Sequence, residues 1–138
     1  MMDFNELCTQ FAKILKGKSN IDHGVCSVSL HRNLTVSVQG LPSTTVIPAD
    51  VLFESLDQNG YALNLAEIAI LEAEVPLFMQ SIIQQGLIVS ALHNHWIFME
   101  PHILYIHIQS VEPPLNFARK LAHAFSTLSS YPISSKNK

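Results

Sequence analysis

The stretch LIVSALHNHWIFMEPHILYIHI, Leu87 to Ile108, carries four of the chain's seven histidines: His93, His95, His102 and His107. An imidazole must find partners when buried, so a cluster of this kind calls for an account. Two runs, Leu87–Trp96 and His102–Val111, flank a turn near Met99, Glu100 and Pro101, and they read as two antiparallel strands. Strand side chains alternate between two faces, so parity sorts them. The even positions Ile88, Leu92 and Trp96 match Leu104, Ile106 and Ile108 as one apolar face. The odd positions place His93, His95, Tyr105 and His107 together on the other face. The expected register sets His93 opposite His107 and His95 opposite Tyr105, with His102 left out at the turn.

Three imidazoles on one face suit a metal. Zinc takes imidazole nitrogens at about 2.0–2.1 Å, and catalytic zinc sites often use three protein ligands with one position open. His93, His95 and His107 are therefore candidate ligands for Zn²⁺ or another divalent transition metal. Glu100, at the turn, and Glu74, at the start of the preceding helix, are candidates for a fourth ligand or a base, and Tyr105 for orienting water or substrate. Two other readings stay open: a metal-free acid/base or ligand pocket, and a hairpin with histidines on its wet face. For Glu74 a favourable charge at a helix N-terminus is a sufficient explanation. The isolated His23, His31 and His123 read as surface groups. His93-Asn94-His95 is not the nuclease signature of the same letters, whose residues are dispersed. His93, His95 and Glu100 partly match the cupin pattern, but the glycines and the second cupin motif are missing.

Working outward, DFNELCTQFAKILKG places Phe4, Leu7, Cys8, Phe11, Ile14 and Leu15 at helical spacing, with Asp3 as N-cap and Gly17 after the helix. HGVCSVSLHRNLTVSVQG alternates, and a three-residue loop His31-Arg32-Asn33 folds it into a hairpin that pairs Leu30 with Leu34. PADVLFESL is expected as a short helix starting at Pro48. An Asn59-Gly60 turn opens a strand that runs to about Leu71. A helix follows at EVPLFMQSIIQQG, with Val75, Phe78, Met79, Ile82 and Ile83 as its stripe and Gly86 as its stop. The last helix, Pro114 to Leu128, buries Phe117, Leu121, Ala124, Phe125 and Leu128.

These elements predict an α+β protein: a largely antiparallel sheet of about five strands with helices packed on it, in the order α-β-β-(α)-β-α-β-β-α. Residues 1–130 form one domain, and 131–138 a polar tail. The length, 138 residues, suits one domain with a proper core. With 8 Lys+Arg and a net charge of −3, no basic stripe marks a nucleic-acid surface. No apolar run is long enough to span a membrane. Cys8 and Cys26 fall in apolar patterns and are expected as small core residues.

Most of residues 11–125 is similar to the LppY/LpqO lipoprotein family, also called domain of unknown function 1259. The matching stretches are FAKILKGKSNIDHGVCSVSLHRNLTVSVQG, LEAEVPLFMQSIIQQGLIVSALHNHW and EPHILYIHIQSVEPPLNFARKLAHAF. The family's Leu-His-Asn-His, then Glu-Pro, then a histidine in the next strand, falls on His93, Asn94, His95, Glu100, Pro101 and His107. Glu74-Val75-Pro76 resembles its Glu-Val-x-Pro, with the proline one place early, and of its Pro-Arg only Arg32 is matched. The resemblance implies the site and no established activity.

The function expected is a zinc-type metal-binding domain with a histidine-rich pocket, as in a small metal-dependent hydrolase. The alternative is a non-catalytic ligand-binding or sensor module using the same face. A small molecule is the expected partner, with self-association into a homo-oligomer a further expectation. With no lipoprotein signal at the N-terminus, the expected location is cytoplasmic, unlike that of the exported family.

Overall fold

Alternating apolar and polar residues in the long strands build one antiparallel sheet with a helix-covered face and an open face. The computed structural model describes residues 2–134. Helix α1 spans Phe4–Leu15, and strands β1 and β2 span Asn20–Asp22 and Val25–His31. Short strands β3 (Val36–Val38) and β4 (Leu41–Ser43) precede β5 (Pro48–Glu54) and β6 (Ala62–Leu71). A 3-10 turn, Glu72–Glu74, leads into α2 (Val75–Gln84). Then come β7 (Ile88–His93), β8 (Met99–Glu100), β9 (Ile103–Glu112), α3 (Pro114–Phe125) and β10 (Ile133–Ser134).

The main sheet has seven strands rather than five, in the order β1-β2-β5-β6-β9-β7, with β10 also on β2. A second, three-stranded sheet has the order β4-β3-β8. The α+β class and the single domain agree with the sequence. The three helices cover one face of the main sheet, where Phe11, Leu15, Phe78, Phe117, Leu121 and Phe125 meet Val28, Leu30, Val51, Ile68, Ile106 and Ile108. Burying each such side chain stabilises by about 1.5–3 kcal/mol. A smaller cluster, Val36, Val46, Ile47, Ala69, Ile103 and Tyr105, joins one end of the open face to the small sheet.

Asp3 caps α1 as expected, its Oδ1 accepting from the Glu6 amide at 2.8 Å. The left-handed residue that ends this helix is Lys16 (φ 63), not Gly17. Gly17 is needed for close approach instead, since a Cβ there would lie 2.5 Å from Val28 Cγ1.

Four expectations are corrected. The hairpin through His31-Arg32-Asn33 does not form: β2 pairs with β1, β5 and β10, while β3 pairs with β4 and β8. Arg32 is drawn into the interior, its amide donating to the Ile47 carbonyl at 2.9 Å, and this turns the chain away from β2. The stretch expected as a helix from Pro48 is strand β5. Ala49, Val51 and Phe53 are buried in alternation with Asp50, Leu52 and Glu54, a period of two that outweighs the helix-start signal of the proline. Cys8 and Cys26 are buried as expected but are bonded to each other, tying α1 to β2. Finally, Ile133 and Ser134, within the stretch expected as a polar tail, pair with His31 and Leu30; residues 135–138 lie outside the described residues.

Candidate metal centre

β7 and β9 are neighbours, as the sequence suggested, but two residues out of the expected register. His93 faces Tyr105, Leu92 faces Ile106 and Ala91 faces His107, with an irregularity at Ser90 between Val89 and Ala91. The irregularity reverses parity toward the start of β7. Val89 therefore faces buried Ile108, whereas Ile88 faces Gln109 and is 55% exposed. The even apolar face thus holds on β9 for Ile106 and Ile108, but on β7 it is broken. Trp96, expected on it, lies beyond the strand and is half exposed.

A slip of two residues keeps every side chain on its own face. His93, His95 and His107 accordingly come together, with one ligand nitrogen from each within 4.8 Å of the others. The rings of His93 and His95 lie 4.7 Å apart between centroids, and those of His93 and His107 lie 5.1 Å apart. His95 sits past the end of β7, and its ring stacks on Tyr105 at 4.3 Å and 10°. Tyr105 is held in turn: its hydroxyl donates to the Val46 carbonyl at 2.5 Å. Burial first, and then the Glu67 charge, push that hydroxyl up to about 12, so it remains a donor.

The carboxylate at the histidines is Glu67, which the sequence reading did not single out. Its Oε2 lies 3.9 Å from His95 Nε2 and 4.0 Å from His107 Nε2. Glu67 is directly opposite His107 because β6 pairs with β9, and directly opposite Asp50 on its other side. Glu67 is the one charged residue of β6, at an odd position of a strand whose even positions are apolar except for Asn64, and that was the local signal. The strand pairing that gives it meaning is long-range.

Desolvation first, and then the Glu67 charge, raise the Asp50 carboxyl from its ordinary value, against the opposing hydrogen bond from the Ser29 hydroxyl. The Nε2 of His107 is buried and has no hydrogen-bond partner. A cleft of about 340 Å³ runs from His107 over Ser90, Leu52 and Leu65 to Asp50 and Glu67.

The other two candidate carboxylates lie elsewhere. Glu74 is 8% exposed and accepts from Arg32 Nη1 and Nη2, from the Leu71 amide, and from both the amide and hydroxyl of Ser129. Glu100 is exposed on β8, paired with Ser37 of the small sheet. Neither is among the groups that meet at the three histidines. His102 is exposed and lines a separate cleft with Trp96, Phe98 and Met99.

An α+β domain with an open sheet face bearing three imidazoles and a carboxylate defines the class. The family described as Domain of Unknown Function (DUF1259) matches residues 9–127, and the chain belongs to it. Neither the curated proteins nor the solved structures contain a significant match to this chain. No helix among the described residues is long and apolar enough to cross a membrane.

Proposed function

We propose that this domain binds a divalent transition metal of the zinc type through His93, His95 and His107. The observation that carries the reading is the convergence of the three ligand nitrogens within 4.8 Å. Neutral imidazole suits such metals, and the buried, partnerless Nε2 of His107 is a nitrogen in need of a partner. Tyr105 fixes the His95 ring by stacking, and the Val46 carbonyl fixes Tyr105. A metal held by three imidazoles supplies Lewis acidity for hydrolysis.

Glu67 takes the part that the sequence reading gave to Glu74 and Glu100, the carboxylate that accepts a proton beside the histidines. Glu74 is committed to its five hydrogen bonds, and Glu100 sits on another sheet. A hydrolase is therefore the first reading. A ligand-binding module is the second, favoured by the cleft beside the histidines. The Cys8–Cys26 bond supports an oxidising compartment over the cytoplasm.

Elemental analysis of protein purified without a histidine tag tests the metal. One zinc-type ion per chain, lost in His93→Ala and His107→Ala, is expected. Metal-free protein that Zn²⁺, Mn²⁺ and Fe²⁺ all fail to stabilise overturns the reading. Ester or amide hydrolysis that disappears in Glu67→Gln at a zinc concentration high enough to saturate the variant separates the enzyme from the binding module.

A further inference from the structure

The charges of this protein are segregated between its layers. Among the described residues Lys13 and Lys16 lie on or just after α1, Lys18 lies in the loop beyond it, Arg119 and Lys120 lie on α3, and Arg32 is buried against Glu74. None of these occupies a strand position on the open side of the main sheet. That face carries Asp22, Asp50, Glu54 and Glu67. Asp50 and Glu67 are direct cross-strand partners, an arrangement of like charges that is unfavourable without a cation. Both line the cleft that ends at His107, and Leu52 and Leu65 give it an apolar floor.

We propose that this cleft takes a small organic cation, an ammonium group on an apolar skeleton, with the ammonium at Asp50 and Glu67 and the skeleton over Leu52 and Leu65. The assignment deepens the metal-site reading and rests on it, since His107 brings the cleft to the proposed metal. Calcium and magnesium suit the cleft poorly, because they call for about six or more oxygen ligands and the floor is hydrocarbon. Anions such as phosphate esters and carboxylates meet two carboxylates at the Asp50 end of the cleft, with no lysine or arginine in its lining.

Three probes of one shape test this on metal-free protein in chelator: benzylammonium, benzyl alcohol and benzoate, followed by amide NMR shifts of Ser90 and His107. Benzylammonium is expected to bind saturably at those amides, at least about tenfold tighter than benzyl alcohol, with benzoate inert. Asp50→Asn, at an exposed position, is expected to weaken benzylammonium about tenfold without lowering the melting temperature. Equal binding of benzoate, absence of saturable benzylammonium binding, or an Asp50→Asn variant with unchanged affinity overturns the proposal. Zinc titrated into matched samples from which the chelator has been dialysed away keeps the two ideas apart. Zinc binding without amine selectivity defeats this inference alone; amine selectivity without zinc binding defeats the metal reading and leaves the cation cleft.

Discussion

Arg32 and Glu74 meet inside the protein as a bidentate pair, Nη1 donating to Oε1 at 2.9 Å and Nη2 to Oε2 at 2.7 Å. Arg32 follows β2, Glu74 stands at the corner between β6 and α2, and Ser129, beyond α3, donates to the same carboxylate at 2.8 Å. Arg32 Nη1 also donates to the carbonyl of Ala69, the residue directly opposite Tyr105 at the floor of the histidine site. The pair therefore joins three parts of the chain beneath the site. It also unites two of the pieces on which the family likeness rested, the arginine after the first long strand and the glutamate before the central helix.

Breaking one side of this pair leaves a buried charge. Arg32→Met is expected to destabilise the fold by about 3–5 kcal/mol, and the double variant Arg32→Met/Glu74→Gln by less than the sum of the single changes. Urea titrations of the four proteins check this. Additive losses would mean that the two side chains act independently.

The pair also sets an acid limit. Desolvation works against the Glu74 carboxylate, but the bonds from Arg32, Ser129 and Leu71 outweigh it and hold its pKa down at about 2, against 4.5 for the free group. A depressed carboxylate stabilises the fold fully above the unfolded value and loses that contribution as pH falls toward the folded value. The advantage of wild type over Glu74→Gln, of the order of 3 kcal/mol at neutral pH, is expected to shrink steadily from about pH 4.5 to pH 2. Denaturant midpoints across that range report it, and a constant difference would contradict the linkage.

The Cys8–Cys26 bond closes a loop with a sequence separation of 18. Chain-entropy arguments put its contribution at about 3 kcal/mol. Cys8→Ser/Cys26→Ser is expected to melt about 10 °C lower than wild type, and reductant to lower the wild-type melting temperature while leaving the variant unchanged. Peptide mapping without reduction shows whether the bond is present in protein made in each compartment.

At the histidines the expected outcomes differ by residue. Saturating zinc at about a hundred times its Kd is expected to stabilise wild type by about 2.7 kcal/mol. Glu67→Gln is expected to weaken zinc binding about 10–100-fold, the range for carboxylates that support metal-binding histidines. His102→Ala, outside the cluster, is expected to leave zinc binding unchanged. Thermal shifts with and without metal measure all three.

Tyr105→Phe removes the hydroxyl bonded to the Val46 carbonyl and keeps the ring beneath His95. It is expected to cost about 1 kcal/mol of stability while zinc affinity stays at the wild-type value. A large loss of zinc affinity with unchanged stability would instead place the hydroxyl in the site itself.

Periodicity along a single strand determined which face each histidine occupies, and that assignment survived a register different from the expected one. Shifting by two residues preserves face, so His93 and His107 still share a side although Tyr105, not His107, stands opposite His93. Local pattern likewise placed α1, α2, α3 and β6, whose apolar spacings are long and regular. Only the tertiary structure decided what lies beside each strand. Placing β6 against β9 brings Glu67 to the histidines. Turning the chain at Arg32 carries β3 into a separate sheet, and packing α1 on β2 brings Cys8 to Cys26. The reason is physical. A period reports how one segment meets water and core, whereas partners distant in sequence are chosen by packing and charge satisfaction summed over the whole fold.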